Sequence, residues 1–321
     1  MEDRIKISVI CLTKNHGNYL KIAVESVLKQ ITDFKFEIII SDDASTDETL
    51  KIARDYEKNY PDIVRVISYS ENIGPSKNAY NAMRAAKGDY LASCEGDDYW
   101  ISVDKLQKQA DFLDKHQNIA ACYHSCIIVN ENGEKIKRYI PWIKKKNYFG
   151  KKDFKGIFLP SHGVTWLRRN YFLNKDFDGS LIYSASRNIA DRSNLLLWLE
   201  KGDFQKVKGI TAAYRFIRNK EGKNLTSTQY SYNPKSDEAE VNYVLHLSDY
   251  LDEKIDNCIN IEYYKEKLCT KIFLKALINR DQEKLALFKT LKTSLHSKTH
   301  WFFLMPYYIL SLIWYKIRLA G

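Results

Sequence analysis

The chain contains no apolar run long enough to cross a bilayer. Its most continuous stretch, Trp301 to Tyr315, is interrupted by Pro306 and Ser311 and stops short of the ~20 residues a spanning helix needs. Cysteine is sparse and unpatterned. Cys11, Cys94, Cys122, Cys126, Cys258 and Cys269 follow no disulfide-framework spacing, and Cys122 and Cys126 lack the second cluster that would complete a zinc clip. They read as small buried hydrophobes. No glycine-rich phosphate loop follows the first strand, since Cys11 to Gly17 holds a single glycine. That argues against a nucleotidyltransferase built around a triphosphate cradle. The net charge of +10 comes without zinc-finger spacing or an RNA-binding aromatic signature, so nucleic acid is not an expected partner. No signal peptide precedes the first strand, and the expected compartment is the reducing, cytoplasmic side.

Two further absences are local. From Lys284 to Gly321 there is no Asp or Glu against six Lys or Arg, and from Ser236 to Ala320 there is no glycine. The second absence, with apolar stripes over Ser236 to Ile255 and Ile261 to Asn279, predicts a helical extension. The first, with aromatics through Trp301 to Tyr315 and basic Lys298, Lys316 and Arg318 around them, predicts an interfacial anchor or a helix buried against a neighbour. A second basic cluster, Lys144, Lys145, Lys146, Lys151, Lys152 and Lys155, surrounds Trp142, Tyr148 and Phe149. It reads equally as a solvated loop or as an anion- or lipid-facing patch.

The first half alternates strand and helix. Ile5 to Cys11 is an apolar, β-branched strand. Leu20, Ala23, Val24, Val27 and Leu28 share a helical face, and Phe36 to Ile40 is a second strand ending in Ser41, Asp42 and Asp43. Thr46 is a candidate cap for the next helix, which stops before Pro61, and Ile63 to Ser68 forms a third strand. Gly74, Pro75 and Ser76 open a helix through Ala86. Tyr90 to Cys94 is a fourth strand running into Glu95, Gly96, Asp97 and Asp98. A helix carrying Leu106, Ala110 and Leu113, a strand from Ile119 to Val129 and a turn at Asn132 and Gly133 follow. Such alternation predicts an α/β fold with a largely parallel sheet.

Acidic residues thus collect past the ends of two strands, on the edge where open α/β sheets bind ligands. Either cluster alone would be an ordinary turn. Two on one edge repel unless a cation or ligand offsets them, which points to a metal.

The ordered motifs resemble glycosyltransferase family 2, the inverting enzymes with the GT-A fold, over about residues 5 to 218. They are Ser8-Val9-Ile10-Cys11-Leu12-Thr13-Lys14-Asn15, the run from Glu37 to Asp47, Asn72-Ile73-Gly74, Lys87-Gly88-Asp89-Tyr90-Leu91, Cys94 to Trp100, Lys105 to Gln109, and Asp191 to Gly202. The resemblance implies a Rossmann-like, mostly parallel sheet flanked by helices. With the helical extension it gives three segments, a catalytic domain over 1–218, helices over 219–300 and a membrane-associating tail over 301–321.

It also implies an activity, an inverting transfer from a nucleotide-sugar, UDP-linked, to a hydroxyl of a glycan or lipid-linked acceptor in bacterial surface-polysaccharide synthesis. The alternative is a non-catalytic scaffold that binds a nucleotide-sugar or polysaccharide. By resemblance Asp191 is the catalytic base. Asp43 takes the uracil imide N–H beside Asp42, and Thr13, Asn15, Asn72, Gly74, Glu95 and Arg215 line the donor. Asp97, supported by Asp98, holds Mn²⁺ or Mg²⁺, and Trp100 and His162 face the acceptor. The implied location is peripheral, on the inner face of the plasma membrane. The sequence departs from the family at Leu12 and Lys14, where relatives pack on the base. It departs again at Asn78-Ala79-Tyr80, and at Ile217, where the run Tyr214-Arg215-Phe216 would end in His.

Overall fold

The structure is a computed structural model and describes residues 4–140, 147–156, 159–217, 236–254 and 259–320. The expectations on Trp142, Lys144, Lys145, Lys146, Cys258 and the boundary at residue 218 lie outside the described residues. The chain divides into two compact units, Met1–Lys151 with Leu159–Tyr232, and Lys152–Phe158 with Asn233–Gly321.

The first unit runs β1 (Ile5–Thr13), α1 (Leu20–Leu28), β2 (Lys35–Asp42), α2 (Thr49–Asn59), β3 (Val64–Ser68), α3 (Pro75–Arg84), β4 (Tyr90–Ser93), β5 (Tyr99–Trp100) and α4 (Lys105–Lys115). It continues with β6 (Ile119–Val129), β7 (Lys135–Ile140), β8 (Tyr148–Phe149), β9 (Trp166–Arg169), α5 (Leu181–Ser184), α6 (Asp191–Leu199) and β10 (Asp203–Arg215). One ten-stranded sheet has the order β3-β2-β1-β4-β9-β6-β10-β5, with β7 on β6 and β8 on β10. The α/β expectation holds. The strands of the alternating half, β3, β2, β1 and β4, pair in parallel. Beyond them β9 is antiparallel to both its neighbours, while β10 is parallel to β6.

Local chemistry explains the elements. Ile7, Val9, Ile10 and Cys11 are all buried, as a strand covered on both faces requires. In α1 the buried residues Leu20, Ala23, Val24 and Val27 form one stripe. Helix α2 begins at Thr49, three residues after the expected cap at Thr46. Asp47 is the reason, because its Oδ1 accepts the backbone N–H of Thr49 and its hydroxyl. Helix α3 starts as expected, with Gly74 at φ 91° and Pro75 in the first turn. Gly88 is required by close approach, since a Cβ there would meet the Ser8 nitrogen of β1 at 2.5 Å.

Main-chain bonds carry the loops past the parallel strand ends together. Asp43 N–H donates to Thr13 O (3.0 Å), Cys94 N–H to Ile10 O (3.0 Å) and Gly96 N–H to Leu12 O (2.9 Å). Residues 13–16, 42–45 and 94–98 therefore share one edge.

The second unit is helical as expected, with α7 (Ser236–Lys254), α8 (Glu262–Asn279), α9 (Gln282–Thr293) and α10 (Lys298–Ala320). Asp237 ties α7 to α8 through Lys271 (3.1 Å) and Lys275 (2.6 Å). Arg280 in the left-handed region ends α8, and Asp281 caps α9. Trp301, expected at the head of an anchor, is instead core. It packs with Phe273 and Phe288, and its indole donates to Thr270 Oγ1 (2.9 Å). Among the residues of α10 whose burial is described, Phe302, Phe303, Tyr307 and Leu310 are exposed and apolar. No described helix is long and apolar enough to cross a membrane.

Candidate active site

The donor-side residues form a laced rim. Asp42 is fully buried, and its carboxylate accepts the N–H (3.0 Å) and the hydroxyl of Ser45, holding the turn in which Ala44 has positive φ. Asn15, itself at φ 54°, joins this turn from the other side. Its Oδ1 accepts Thr46 N–H (2.8 Å), and its N–H donates to Ser45 Oγ (2.8 Å). Asp43 accepts Ile73 N–H (2.7 Å) and Gly74 N–H (3.1 Å) on separate oxygens. Each oxygen keeps a lone pair for a further donor. Asn72 Oδ1 accepts Gly74 N–H (2.9 Å) and an Arg187 N–H (2.9 Å). Asn78, a departure from the family pattern, is buried and donates to Ser41 O (3.0 Å), bracing the end of β2.

Glu95, Asp97 and Asp98 bring one carboxylate oxygen each within 4.8 Å of one another. Burial pushes the Glu95 carboxyl above its ordinary range, with Asp191 and then Asp97 adding to the rise. Burial, Asp97 and Glu95 push Asp98 up in the same way, against the pull of Arg215. Asp98 Oδ1 accepts Arg215 N–H (2.8 Å), while its buried Oδ2 has no hydrogen-bond partner. Three crowded carboxylates, one with a buried oxygen left unbonded, fit a hard divalent cation, which takes oxygen donors and offsets their repulsion.

Asp191 is the first residue of α6, whose Leu195 to Leu199 are all buried. The residue itself is exposed. Its charge reaches Glu95, His162 and Arg168. The expected base and the acidic cluster therefore share one neighbourhood. His162 stacks on Tyr214 at 3.9 Å between ring centroids, and its Nδ1 lies 3.6 Å from Asp98 Oδ2. Burial lowers its pKa, opposed by Asp191 and Asp97.

Two of the expected site residues are buried and bonded within the protein itself. The Arg215 side chain is buried, and its guanidinium donates to the carbonyls of Asp97 (2.9 Å), Asn130 (3.0 Å) and Glu131 (2.8 Å) and lies over Tyr19. It supports the acidic loop from behind, three of its N–H donor contacts going to three backbone carbonyls. Trp100, expected to face the acceptor, is buried. Its indole donates to Val164 O (3.1 Å), and Lys105 Nζ sits 4.2 Å from its ring. Ile217 is buried.

Three residues were missed. Arg187 clamps the Asn72 turn, donating to its carbonyl (2.6 Å). Arg168 is buried on β9, bonded to Ser93 Oγ (3.2 Å) and stacked on Trp198. Its signal was a pair of arginines inside an apolar strand. His16 puts Nε2 3.8 Å from Asp97 Oδ2, and its signal was its place just past the first strand.

The sequence profile of Glycosyl transferase family 2 matches residues 8–174, more than half of the chain. The chain belongs to that family. An uncharacterized protein of Mycobacterium tuberculosis is 39% identical over 135 residues, 42% of this chain and 39% of that protein. The poly(ribitol-phosphate) β-N-acetylglucosaminyltransferase TarS of Staphylococcus aureus is 34% identical over 118 residues, 36% of this chain and 20% of TarS. The family member thus aligns with well under two thirds of either relative's length. A crystal structure of TarS residues 1–349 with UDP-GlcNAc superposes with a TM-score of 0.54 at 17% identity, covering 90% of this chain and 91% of that one. This likeness supports the GT-A fold.

Proposed function

We propose that this glycosyltransferase moves a sugar, with inversion, from a UDP-linked donor to a hydroxyl of a glycan or lipid-linked acceptor in surface-polysaccharide synthesis. The observation that carries the reading is the convergence of Asp191 with Glu95, Asp97 and Asp98 at the C-terminal edge of the parallel strands. TarS, solved with UDP-GlcNAc and named for a poly(ribitol-phosphate) acceptor, supports the donor and the acceptor class.

In this reading Asp191 takes the proton of the acceptor hydroxyl as its oxygen attacks the anomeric carbon. The new C–O bond forms on the face opposite the bond to the diphosphate, which breaks, and one displacement inverts the centre. Asp43 accepts from the base, and Glu95 faces the ribose or sugar. Asp97, with Asp98, would hold Mn²⁺ or Mg²⁺, which when bound supplies positive charge to the leaving nucleoside diphosphate. Arg215 keeps the acidic loop in place throughout.

Helix α10 adds a peripheral membrane contact, through Phe302, Phe303, Tyr307 and Leu310, in a segment rich in basic and free of acidic residues. That contact would be with the cytoplasmic face.

The test is nucleoside diphosphate release from a panel of nucleotide-sugars with Mn²⁺, repeated with EDTA and with Asp97→Asn. Release selective for a UDP-sugar and lost in both controls is expected. A protein that neither turns over nor binds any nucleotide-sugar would sink the proposal.

A further inference from the structure

His16 lies beside the acidic cluster without a hydrogen bond to it. Its Nε2 is 3.8 Å from Asp97 Oδ2, beyond hydrogen-bond range. Two ligands each about 2.1 Å from one ion lie between ~3 Å and ~4.2 Å apart, and the observed gap falls inside that span. The His16 and Asp97 side chains are 13% and 11% exposed, so water replaces little of what either lacks.

Three polar atoms around this point have no partner among the described residues. They are His16 Nδ1, Thr13 Oγ1 and Asp98 Oδ2, all buried. Thr13, itself 2% exposed, turns its hydroxyl toward Gly96, the residue between Glu95 and Asp97. A Cβ on Gly96 would lie 2.7 Å from Thr13 Oγ1 and 2.9 Å from His16 Nδ1. The glycine thus lets the imidazole and the hydroxyl press against the acidic loop. A buried carboxylate oxygen left unbonded, as Asp98 Oδ2 is, costs stability unless a ligand completes it.

We propose that His16 supplies an imidazole ligand, through Nε2, to the divalent ion held by Asp97, and so biases the site toward Mn²⁺ over Mg²⁺. This rests on the metal reading of the acidic cluster given above. The physical basis of the bias is donor type. Mg²⁺ takes oxygen ligands almost exclusively, whereas an imidazole nitrogen favours transition ions.

The experiment is Mn²⁺ binding to the full chain with UDP present, read by electron paramagnetic resonance and its nitrogen hyperfine coupling, and by calorimetry with Mn²⁺ and Mg²⁺. The variants are His16→Gln, His162→Gln and Asp97→Asn, each checked for native circular dichroism. Wild-type protein is expected to give a ¹⁴N coupling on bound Mn²⁺. His16→Gln should abolish it and weaken Mn²⁺ binding by about 10- to 100-fold, with Mg²⁺ binding little changed. His162→Gln should keep the coupling. If His16→Gln retains both the coupling and the affinity while Asp97→Asn loses Mn²⁺, the role given to His16 is wrong and the acidic site stands. A coupling lost only in His162→Gln assigns the ligand elsewhere and also overturns it. Absence of Mn²⁺ binding in the wild type removes the metal reading together with this one.

Discussion

Single atoms separate the groups that act from those that hold. Asp191 is exposed at a helix N-terminus, whereas Arg215 is buried under the acidic loop. Asp191→Asn keeps the shape and removes the carboxylate proposed as the base. Its kcat is expected to fall by about 10²–10⁴-fold with UDP affinity unchanged, which turnover and calorimetry together would report. Normal turnover would remove Asp191 from the mechanism. Arg215→Met strands the carbonyls of Asp97, Asn130 and Glu131. Stability is expected to drop by about 2–4 kcal/mol in denaturant titrations, with a parallel loss of donor binding. The resemblance implied Arg215 as a donor-lining residue because an arginine at a strand end is ambiguous until its burial is known.

Whole elements decide what a residue's neighbours are. Strand β6 buries His124, and this burial, with Lys105 nearby, lowers its pKa to about 3. An unfolded chain protonates the same ring near its ordinary 6.5. Below pH 6.5 the unfolded state therefore binds a proton that the folded state refuses. Stability should be fullest above 6.5 and fall as the pH drops toward 3. His124→Leu should flatten that part of the stability–pH curve, as followed by denaturant midpoints; an unchanged slope would contradict the argument. The same scale explains two misplacements. Helix α2 begins after Asp47 because that side chain caps Thr49, and Asp ranks above Thr as a capping type. Trp100 lies in the two-residue strand β5, paired with β10 over a hundred residues away, and periodicity carries no trace of such a pairing.

For the molecule as a whole, the two units carry different chemistry. The helical unit presents Phe302, Phe303, Tyr307 and Leu310 to solvent while Trp301 is spent in its core. The double change Phe302→Ser with Phe303→Ser should weaken partition to anionic vesicles by about tenfold or more, given roughly 1.5–3 kcal/mol per buried aromatic. Flotation with such vesicles would measure it, and turnover on a soluble acceptor analogue should be unaffected. Partition unchanged by the double change would remove these residues from lipid contact.

Much of the first unit was legible. The strand–helix alternation and the acidic residues past strand ends follow from local rules, namely hydrophobic period, chain-breaking residues and charge placed after a strand. The helical extension was equally plain from its missing glycines and apolar stripes. Those properties depend on neighbours along the chain, so the sequence by itself determined them.

Only the tertiary structure decided how β9 and β10 enter the sheet, that Arg215 and Trp100 are core supports, and that His16 meets Asp97. Each depends on contacts between residues far apart in the chain. Such contacts arise when distant segments are packed at native density, and a local pattern of residue types does not specify them.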